Sequence, residues 1–278
     1  MSTEILETQL DNTSLNSQDL LNREVEEIRA RYARRHDGPP HVARAILAPE
    51  KLLRFQERER VILRLLRTRM RKPLWELKVL EIGCGYGGNL LQFLRWGCCP
   101  WNLVANELLE DRLAVTRELL PGTVSILPGD ASSLAIPPET FDIVLQSTVF
   151  SSILDPEFRK RLAQKMWDWV VPGGAVLWYD LRFNNPLNPD VRAISLREIR
   201  ELFPAARIIS RSITLAPPIA RIAARFGAGI YMLLASLPPL RTHWLCWLEK
   251  VPTSNCAAPT IVPRKTVAMN ETALPKAS

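Results

Sequence analysis

The sequence predicts an α/β fold: a mostly parallel sheet with helices on both faces. Short apolar segments alternate with segments of helical periodicity through the middle of the chain, which is the pattern of parallel β-α units. Four glycines, at positions 83, 85, 87 and 88, follow the first apolar segment directly and predict a tight strand-to-helix turn. The chain has 278 residues, of which 47% are hydrophobic and 23% charged, so it can bury a large core as a globular protein.

The predicted elements follow one another in a regular order. Five strands are expected at 78–82, 103–106, 123–127, 141–146 and 175–180, and two more at Arg207–Leu215 and Thr242–Glu249. The last strand is apolar on both faces, which predicts an inner position in the sheet. Helices are expected at 89–96, 109–120, 156–170 and 217–237. Asp155 and Pro156 suit the start of the third of these helices, and Ser195 with Glu198 predicts a capping box that opens another short helix.

The two ends of the chain differ from its centre. Residues 1–17 are polar without periodicity and are predicted to be disordered, and the Pro-, Thr-, Ala- and Lys-rich residues 251–278 are predicted to form a flexible tail. Residues 18–72 predict two charged helices before a domain at 73–250. Between Arg23 and Lys72, 13 Arg and 2 Lys accompany 7 acidic residues. This basic excess indicates either solvated helix faces or a surface that attracts an anionic substrate, such as a nucleotide-sugar, a phospholipid headgroup or RNA.

The segment Val79–Leu90, with the sequence VLEIGCGYGGNL, is the most informative part of the chain. A buried strand, a glycine-rich turn and a helix N-terminus with free N–H groups together predict a cofactor loop. Gly83, Gly85 and Gly88 satisfy the dinucleotide fingerprint G-x-G-x-x-G. The same loop also satisfies E-x-G-x-G-x-G, through Glu81, Gly83, Gly85 and Gly87. The loop therefore leaves two cofactor classes open.

The residues downstream decide between them. Glu107 ends the second strand, and the sequence LPGDA at Leu127–Ala131 follows the third strand. Phe141–Gln146 is a fourth strand, and Val171–Gly174 is a turn into a fifth. With these features in this order, the chain from about Lys78 to Lys250 resembles the class I, Rossmann-like S-adenosylmethionine-dependent methyltransferases, in particular the bacterial type-11 and type-25-like small-molecule enzymes. The resemblance implies a seven-stranded sheet whose last strand is antiparallel, with an N-terminal helical lid. A nicotinamide-dependent oxidoreductase is less well supported.

The resemblance also implies S-adenosylmethionine as the cofactor and a role for several residues. In the family the glycine loop lies under the methionine and ribose portions of the cofactor. An acid at the position of Glu81 helps hold the amino group of the cofactor, and an acid at the position of Glu107 accepts hydrogen bonds from the ribose hydroxyls. An acid at the position of Asp130 reaches the adenine amino group. The expected cofactor-binding residues are Glu81, Gly83, Cys84, Gly85, Gly87, Glu107, Leu108, Asp130, Ala131 and Gln146.

The acceptor side is predicted from the segments that follow strands four and five. Residues 146–150 contain neither the Asn/Asp-Pro-Pro-Tyr/Phe motif of enzymes that methylate base amines nor the cysteine of RNA cytosine C5 enzymes. These absences favour O-methylation of a small-molecule, glycan or lipid-linked acceptor; RNA methylation and a non-catalytic, cofactor-binding partner subunit are the alternatives. Asp180 is the candidate general base, although it could equally cap its loop or pair with Arg182. Tyr32, His36 and His41 reach the site only if the N-terminal helices cover it.

Cysteine use and hydropathy predict a cytoplasmic protein without a transmembrane segment. The five cysteines show neither metal-ligand spacing nor a disulfide framework, and no metal site is predicted. Met1–Asp19 lacks the apolar stretch of a secretory signal. The uncharged apolar run Phe226–Leu240 is too short to span a bilayer.

Overall fold

The computed structural model describes residues 22–34, 48–185 and 188–252. The segment predicted to be disordered, the predicted tail from residue 253 onward, His36 and His41 lie outside these residues. The first described helix, α1, comprises residues 22–34.

The strands form one seven-stranded sheet in the order β3-β2-β1-β4-β5-β7-β6. Their bounds are β1 Val79–Ile82, β2 Leu103–Glu107, β3 Ser125–Pro128, β4 Phe141–Ser147, β5 Val170–Leu181, β6 Arg207–Leu215 and β7 Arg241–Glu249. The pairs among β1 to β5 are parallel, whereas β7 lies antiparallel between β5 and β6. The predicted α/β fold, the inner position of the last strand and its antiparallel direction are confirmed.

Helices cover both faces of the sheet. They are α2 Pro49–Arg69, α3 Gly88–Arg95, α4 Glu110–Leu119, α5 Pro156–Trp169, α6 Leu196–Leu202, α7 Pro217–Arg225 and α8 Ala228–Ala235. Because side chains alternate along a strand, β1 sends Leu80 and Ile82 into a core shared with α1, α5 and α6. Its other buried apolar residue, Val79, points into a second core shared with α2 and α3. Burying each such side chain stabilises the fold by about 1.5–3 kcal/mol.

Two predicted elements have different bounds in the structure. The helix expected at 217–237 is divided into α7 and α8 at Gly227, whose φ of 98° a helix cannot accommodate. The fifth strand begins at Val170, before the predicted Pro-Gly-Gly turn, and its register with β4 shifts there.

The capping box forms only in part. Ser195 accepts a hydrogen bond from the backbone N–H of Glu198, as predicted. The Glu198 carboxylate, however, accepts hydrogen bonds from Arg159 and Arg192, because a buried guanidinium requires a charged partner more than the helix N-terminus does.

Within the described ranges, no helix combines the length and the apolar character that crossing a membrane requires.

Candidate active site

The order of the strands reverses between β1 and β4, so their carboxyl ends leave a crevice of the kind in which α/β proteins bind ligands. A cleft of about 260 Å³ lies there, and we call it the first cleft. Eight of the residues predicted to bind the cofactor line it: Glu81, Gly83, Cys84, Gly85, Glu107, Leu108, Asp130 and Ala131.

The glycine loop bends between β1 and α3 with left-handed backbone at three positions. The φ angles of Gly83, Gly85 and Gly87 are 60°, 59° and 77°. A Cβ atom on Gly85 would meet no atom of the described residues within 4 Å, so this backbone borders open space. A Cβ on Gly83, in contrast, would lie 2.7 Å from Val149. The loop therefore keeps its main chain accessible at Gly85 and packs closely at Gly83.

Glu81 places a buried carboxyl group at the base of the first cleft. Asn89 Nδ2 donates a hydrogen bond to Glu81 Oε1 at 2.5 Å, whereas Oε2 has no partner among the described residues. Burial raises the pKa of Glu81 to about 8, against the lowering effects of Asn89 and Arg58. The group is therefore mostly protonated at pH 7, and it forms no salt bridge with the described residues.

Glu107 connects the second strand to the glycine loop. Its Oε2 accepts a hydrogen bond from Gly85 N at 2.7 Å, and its Oε1 accepts from Leu108 N and Leu109 N at 2.9 and 3.1 Å. A carboxylate offers about four acceptor positions, so one remains for a ligand in the cleft. Burial raises the pKa of Glu107, and its three backbone donors lower it.

Asp130 lies at the opposite end of the first cleft, after β3. Its carboxylate accepts hydrogen bonds from the Ser132 backbone N–H and from the hydroxyl groups of Ser132 and Ser133 at 2.9, 2.6 and 3.0 Å. These bonds fix the turn that brings Asp130 and Ala131 to the wall of the cleft. A role of Asp130 at an adenine amino group stays a prediction.

Three predicted site residues lie outside the lining of the first cleft. Gly87 is the N-cap of α3. Gln146 is fully buried, and its Oε1 accepts a hydrogen bond from Val149 N at 3.1 Å, so it holds the loop after β4. Asp180 is also fully buried, and it accepts hydrogen bonds from the backbone N–H groups of Ser151 and Leu181 at 3.1 and 2.8 Å. Burial raises its pKa to about 6.

Helix α1 forms one side of the first cleft, where sequence reasoning expected a lid without identifying its contacts. Ile28 and Tyr32 line the cleft, and the Tyr32 hydroxyl lies 3.0 Å from Ser152 Oγ. The guanidinium of Arg112 lies 4.5 Å from the centre of the Tyr32 ring. Glu24 fixes the start of the helix, because its carboxylate accepts a hydrogen bond from Leu154 N at 2.9 Å.

A second cleft of about 250 Å³ adjoins the first, and Ser147 and Thr148 line both. Its other lining residues are Arg54, Phe55 and Arg58 from α2, Tyr179 from β5 and His243 from β7. Because β7 runs antiparallel, its first residues reach the edge where β4 and β5 end. The sequence pointed to the segment after β5, beside Tyr179, but not to either arginine or to His243. The i, i+4 spacing of the two arginines on a basic helix indicated that they share one face of α2.

Thr148, at the junction of the two clefts, has a strained backbone. Its φ of 59° is rare for a β-branched residue. A hydrogen bond of 2.7 Å from Thr148 N to Tyr179 O holds it in place. Such strain is characteristic of functional sites, where surrounding structure enforces an unfavourable conformation.

His243 presents a neutral imidazole to the second cleft. Its ring stacks on Tyr179, with centres 4.7 Å apart. Thr242 Oγ1 lies 3.1 Å from the carbonyl oxygen of Thr214 and 2.9 Å from His243 Nδ1; when the hydroxyl donates to the carbonyl oxygen, Nδ1 carries the proton and Nε2 the lone pair. Burial, together with Arg54 and Arg58, lowers the pKa of His243 to about 3.

The first cleft has the features needed to hold S-adenosylmethionine. The unpartnered, buried Oε2 of Glu81 suits a cationic amino group. The open space beside Gly85 lets a ligand contact the main chain, and Glu107 retains an acceptor position beside it. These residues would bind the methionine and ribose portions of the cofactor.

Comparison with known proteins identifies the central part of the chain. Residues 79–174 match the family model described as a methyltransferase domain. A phthiotriol/phenolphthiotriol dimycocerosates methyltransferase from Mycobacterium ulcerans is 31% identical over 140 residues, which are 49% of this chain and 50% of the relative. A tRNA N(3)-cytidine methyltransferase from Gallus gallus is 29% identical over 111 residues, which are 37% of this chain and 30% of the relative. The chain thus spans no more than half the length of these relatives.

The fold is shared with solved structures. A putative sarcosine dimethylglycine methyltransferase from Galdieria sulphuraria superposes with a TM-score of 0.51 at 16% identity, over 72% of this chain and 87% of that one. The sequence match and the sheet order together confirm the predicted resemblance. Residues 79–174 thus match a methyltransferase domain, on a sheet of the class I order, and S-adenosylmethionine is the cofactor that this likeness implies.

Proposed function

We propose that the protein transfers a methyl group from S-adenosylmethionine to a hydroxyl group of a small-molecule, glycan or lipid-linked acceptor. One observation carries this proposal: the first cleft, which fits the cofactor, opens at Ser147 and Thr148 into a second cleft of similar size. Two adjoining clefts at the carboxyl ends of β4 and β5 suit a cofactor and an acceptor that must meet.

The residues at the junction of the two clefts align the acceptor with the cofactor. When bound, S-adenosylmethionine supplies a methyl group that its sulfonium sulfur makes electrophilic. Alignment of a nucleophile with such a group can supply several kcal/mol of the rate enhancement. The strained Thr148 and its bond to Tyr179 O keep the passage between the clefts in one shape.

His243 is better placed than Asp180 to contact an acceptor hydroxyl. His243 lines the second cleft with an unprotonated Nε2, which can accept a hydrogen bond from the hydroxyl and orient it. Asp180 lies beneath the turn at Phe150–Ser152, and its carboxylate is engaged by Ser151 N and Leu181 N. We therefore assign Asp180 to positioning of this turn, the capping role that the sequence left open.

RNA methylation is a second candidate, because a tRNA N(3)-cytidine methyltransferase is among the relatives. The test is a panel of hydroxylated lipids, glycans, small alcohols and tRNA, with release of S-adenosylhomocysteine as the signal. Turnover on a hydroxyl acceptor, with the label recovered as an ether, supports the proposal. Turnover on tRNA alone would replace it with the RNA function. Cofactor binding without any turnover would favour the non-catalytic, cofactor-binding subunit.

A further inference from the structure

The second cleft carries two arginines that have no salt-bridge partner within the described residues. Arg54 and Arg58 are one helical turn apart on α2 and both line the cleft. Within the described residues, neither forms a salt bridge. The seven lining residues include no acidic side chain. Two positive charges therefore face one small space that no acidic side chain of the described residues lines.

The bonds of Arg58 orient its guanidinium and leave part of it free. Its terminal nitrogens donate to Asn89 Oδ1 at 2.6 Å and, more weakly, to Ser147 Oγ at 3.4 Å. Both acceptors are uncharged. Arg58 Nε is buried without a partner among the described residues. Since a buried charge costs free energy unless it is paired, this arrangement is expected of a site that a ligand completes.

Aromatic rings hold both guanidinium groups in place. Arg54 lies 5.6 Å from the centre of the Phe55 ring, and Arg58 lies 5.7 Å from that ring and 5.2 Å from that of Tyr179. Stacking on a ring leaves the N–H edge of a guanidinium available, and this edge matches the oxygen atoms of a phosphate or carboxylate.

We propose that the second cleft binds the acceptor through a negatively charged group, a phosphate or a carboxylate, that the guanidinium groups of Arg54 and Arg58 hold. The identification of this occupant as the acceptor rests on the proposed function. A cleft of about 250 Å³ suits one anionic group on a small or lipid-linked molecule. The arginines thereby restrict the acceptors to those that carry such a group beside the reacting hydroxyl.

The test is calorimetric titration of the full chain with inorganic phosphate and, separately, with acetate, at constant ionic strength. Saturating S-adenosylhomocysteine occupies the first cleft. We compare the unaltered protein with Arg54→Gln and with the control Arg67→Gln, which removes the same charge from an exposed position of α2. Arg58 is left unchanged because it also holds Asn89. We expect Arg54→Gln to weaken anion binding by about tenfold or more and the control to leave it unchanged.

The two anions separate the sources of the negative charge. Selective loss of phosphate binding in Arg54→Gln would indicate a phosphorylated acceptor, and selective loss of acetate binding a carboxylate. Equal affinity in the unaltered protein and Arg54→Gln, or equal weakening by both substitutions, would overturn the inference. Tight binding of an RNA oligonucleotide that both substitutions weaken equally would also overturn it, in favour of a diffuse RNA surface. Failure to bind S-adenosylhomocysteine would instead overturn the proposed function, whereas anion binding specific to Arg54 would still support the anion site.

Discussion

Glu81 is predicted to couple cofactor binding to the release of a proton. Its carboxyl group has a pKa of about 8 in the empty cleft because it is buried, and its Oε2 has no partner among the described residues. An ammonium group placed beside it favours the charged form and lowers this pKa. Binding of an amino-acid-bearing cofactor at pH 7 should therefore release close to one proton, and the affinity should rise as the pH increases from about 6 to about 8.

Calorimetry of S-adenosylhomocysteine in buffers of different ionisation enthalpy measures this release. Glu81→Gln keeps the shape of the side chain and should abolish both the proton release and the pH dependence. Release that persists in Glu81→Gln would assign the proton to another group and contradict the account of Glu81.

Glu107 supports the glycine loop and is predicted to contact the ligand. Replacement by alanine removes the acceptor of Gly85 N and the position left for a ribose hydroxyl. Hydrogen bonds to a charged group are worth about 1.5–3 kcal/mol, so cofactor affinity should fall about ten- to a hundredfold. Glu110→Ala is the control, because Glu110 is an exposed acid in the first turn of α4. Equal affinities in the two variants would show that Glu107 does not contact the cofactor.

His243 is expected to affect the reaction and not cofactor binding. Phenylalanine at this position can keep the stacking on Tyr179 but lacks the lone pair of Nε2. With the acceptor found in the panel, His243→Phe should lower kcat by up to about tenfold, the cost of one lost hydrogen bond to the acceptor hydroxyl, and leave the affinity for S-adenosylhomocysteine unchanged. An unaltered kcat would remove His243 from the proposed mechanism.

At the scale of elements, the two N-terminal helices serve different clefts. The sequence predicts a single helical lid over residues 18–72. In the described residues, α1 contributes Ile28 and Tyr32 to the first cleft, and α2 contributes Arg54 and Arg58 to the second. The two helices therefore border different clefts, α1 the proposed cofactor site and α2 the proposed acceptor site.

Hydrogen exchange tests this division. S-adenosylhomocysteine should slow amide exchange in residues 22–34, because a ligand in the first cleft stabilises the helix that forms its side. Helices α7 and α8, which line neither cleft, are the internal control. Protection of the glycine loop without any change in α1 would contradict the placement of α1 at the cofactor.

The strands and the glycine loop could be predicted because their signals are local. The segment from Glu81 to Gly85 carries its pattern within a few positions, and Asp155 and Ser195 cap their helices as their sequences indicate. The second cleft could not be predicted in this way. Arg58, Thr148 and His243 are far apart in the chain and meet only because α2 and the ends of β4, β5 and β7 border the same cleft.

The position of Asp180 at the end of a strand was not sufficient evidence for a catalytic role. It ends the buried part of β5, where a catalytic side chain is often found, yet its carboxylate is directed to the backbone of Ser151. The direction of a side chain at a strand end depends on how the following loops fold, which local sequence does not specify. Gly227 was a local signal for the break between α7 and α8.

For the whole molecule, the sheet brings both clefts to one edge. The reversal of strand order at β1 opens the first cleft, and the antiparallel β7 brings His243 to the same edge, beside the second. Both arginines reach this edge from α2, which packs against β6 as well. The arrangement combines the proposed cofactor site, built by the central strands, with the proposed acceptor site, to which α2 and the last strand contribute.

The central claim is that the first cleft binds S-adenosylmethionine and not a dinucleotide, although the glycine loop satisfies both fingerprints. Calorimetric titration of the full chain with S-adenosylhomocysteine, NAD and NADP, each in turn, tests it most directly. We expect S-adenosylhomocysteine to bind with one molecule per chain and neither dinucleotide to bind measurably. Tighter binding of NAD than of S-adenosylhomocysteine would contradict the account.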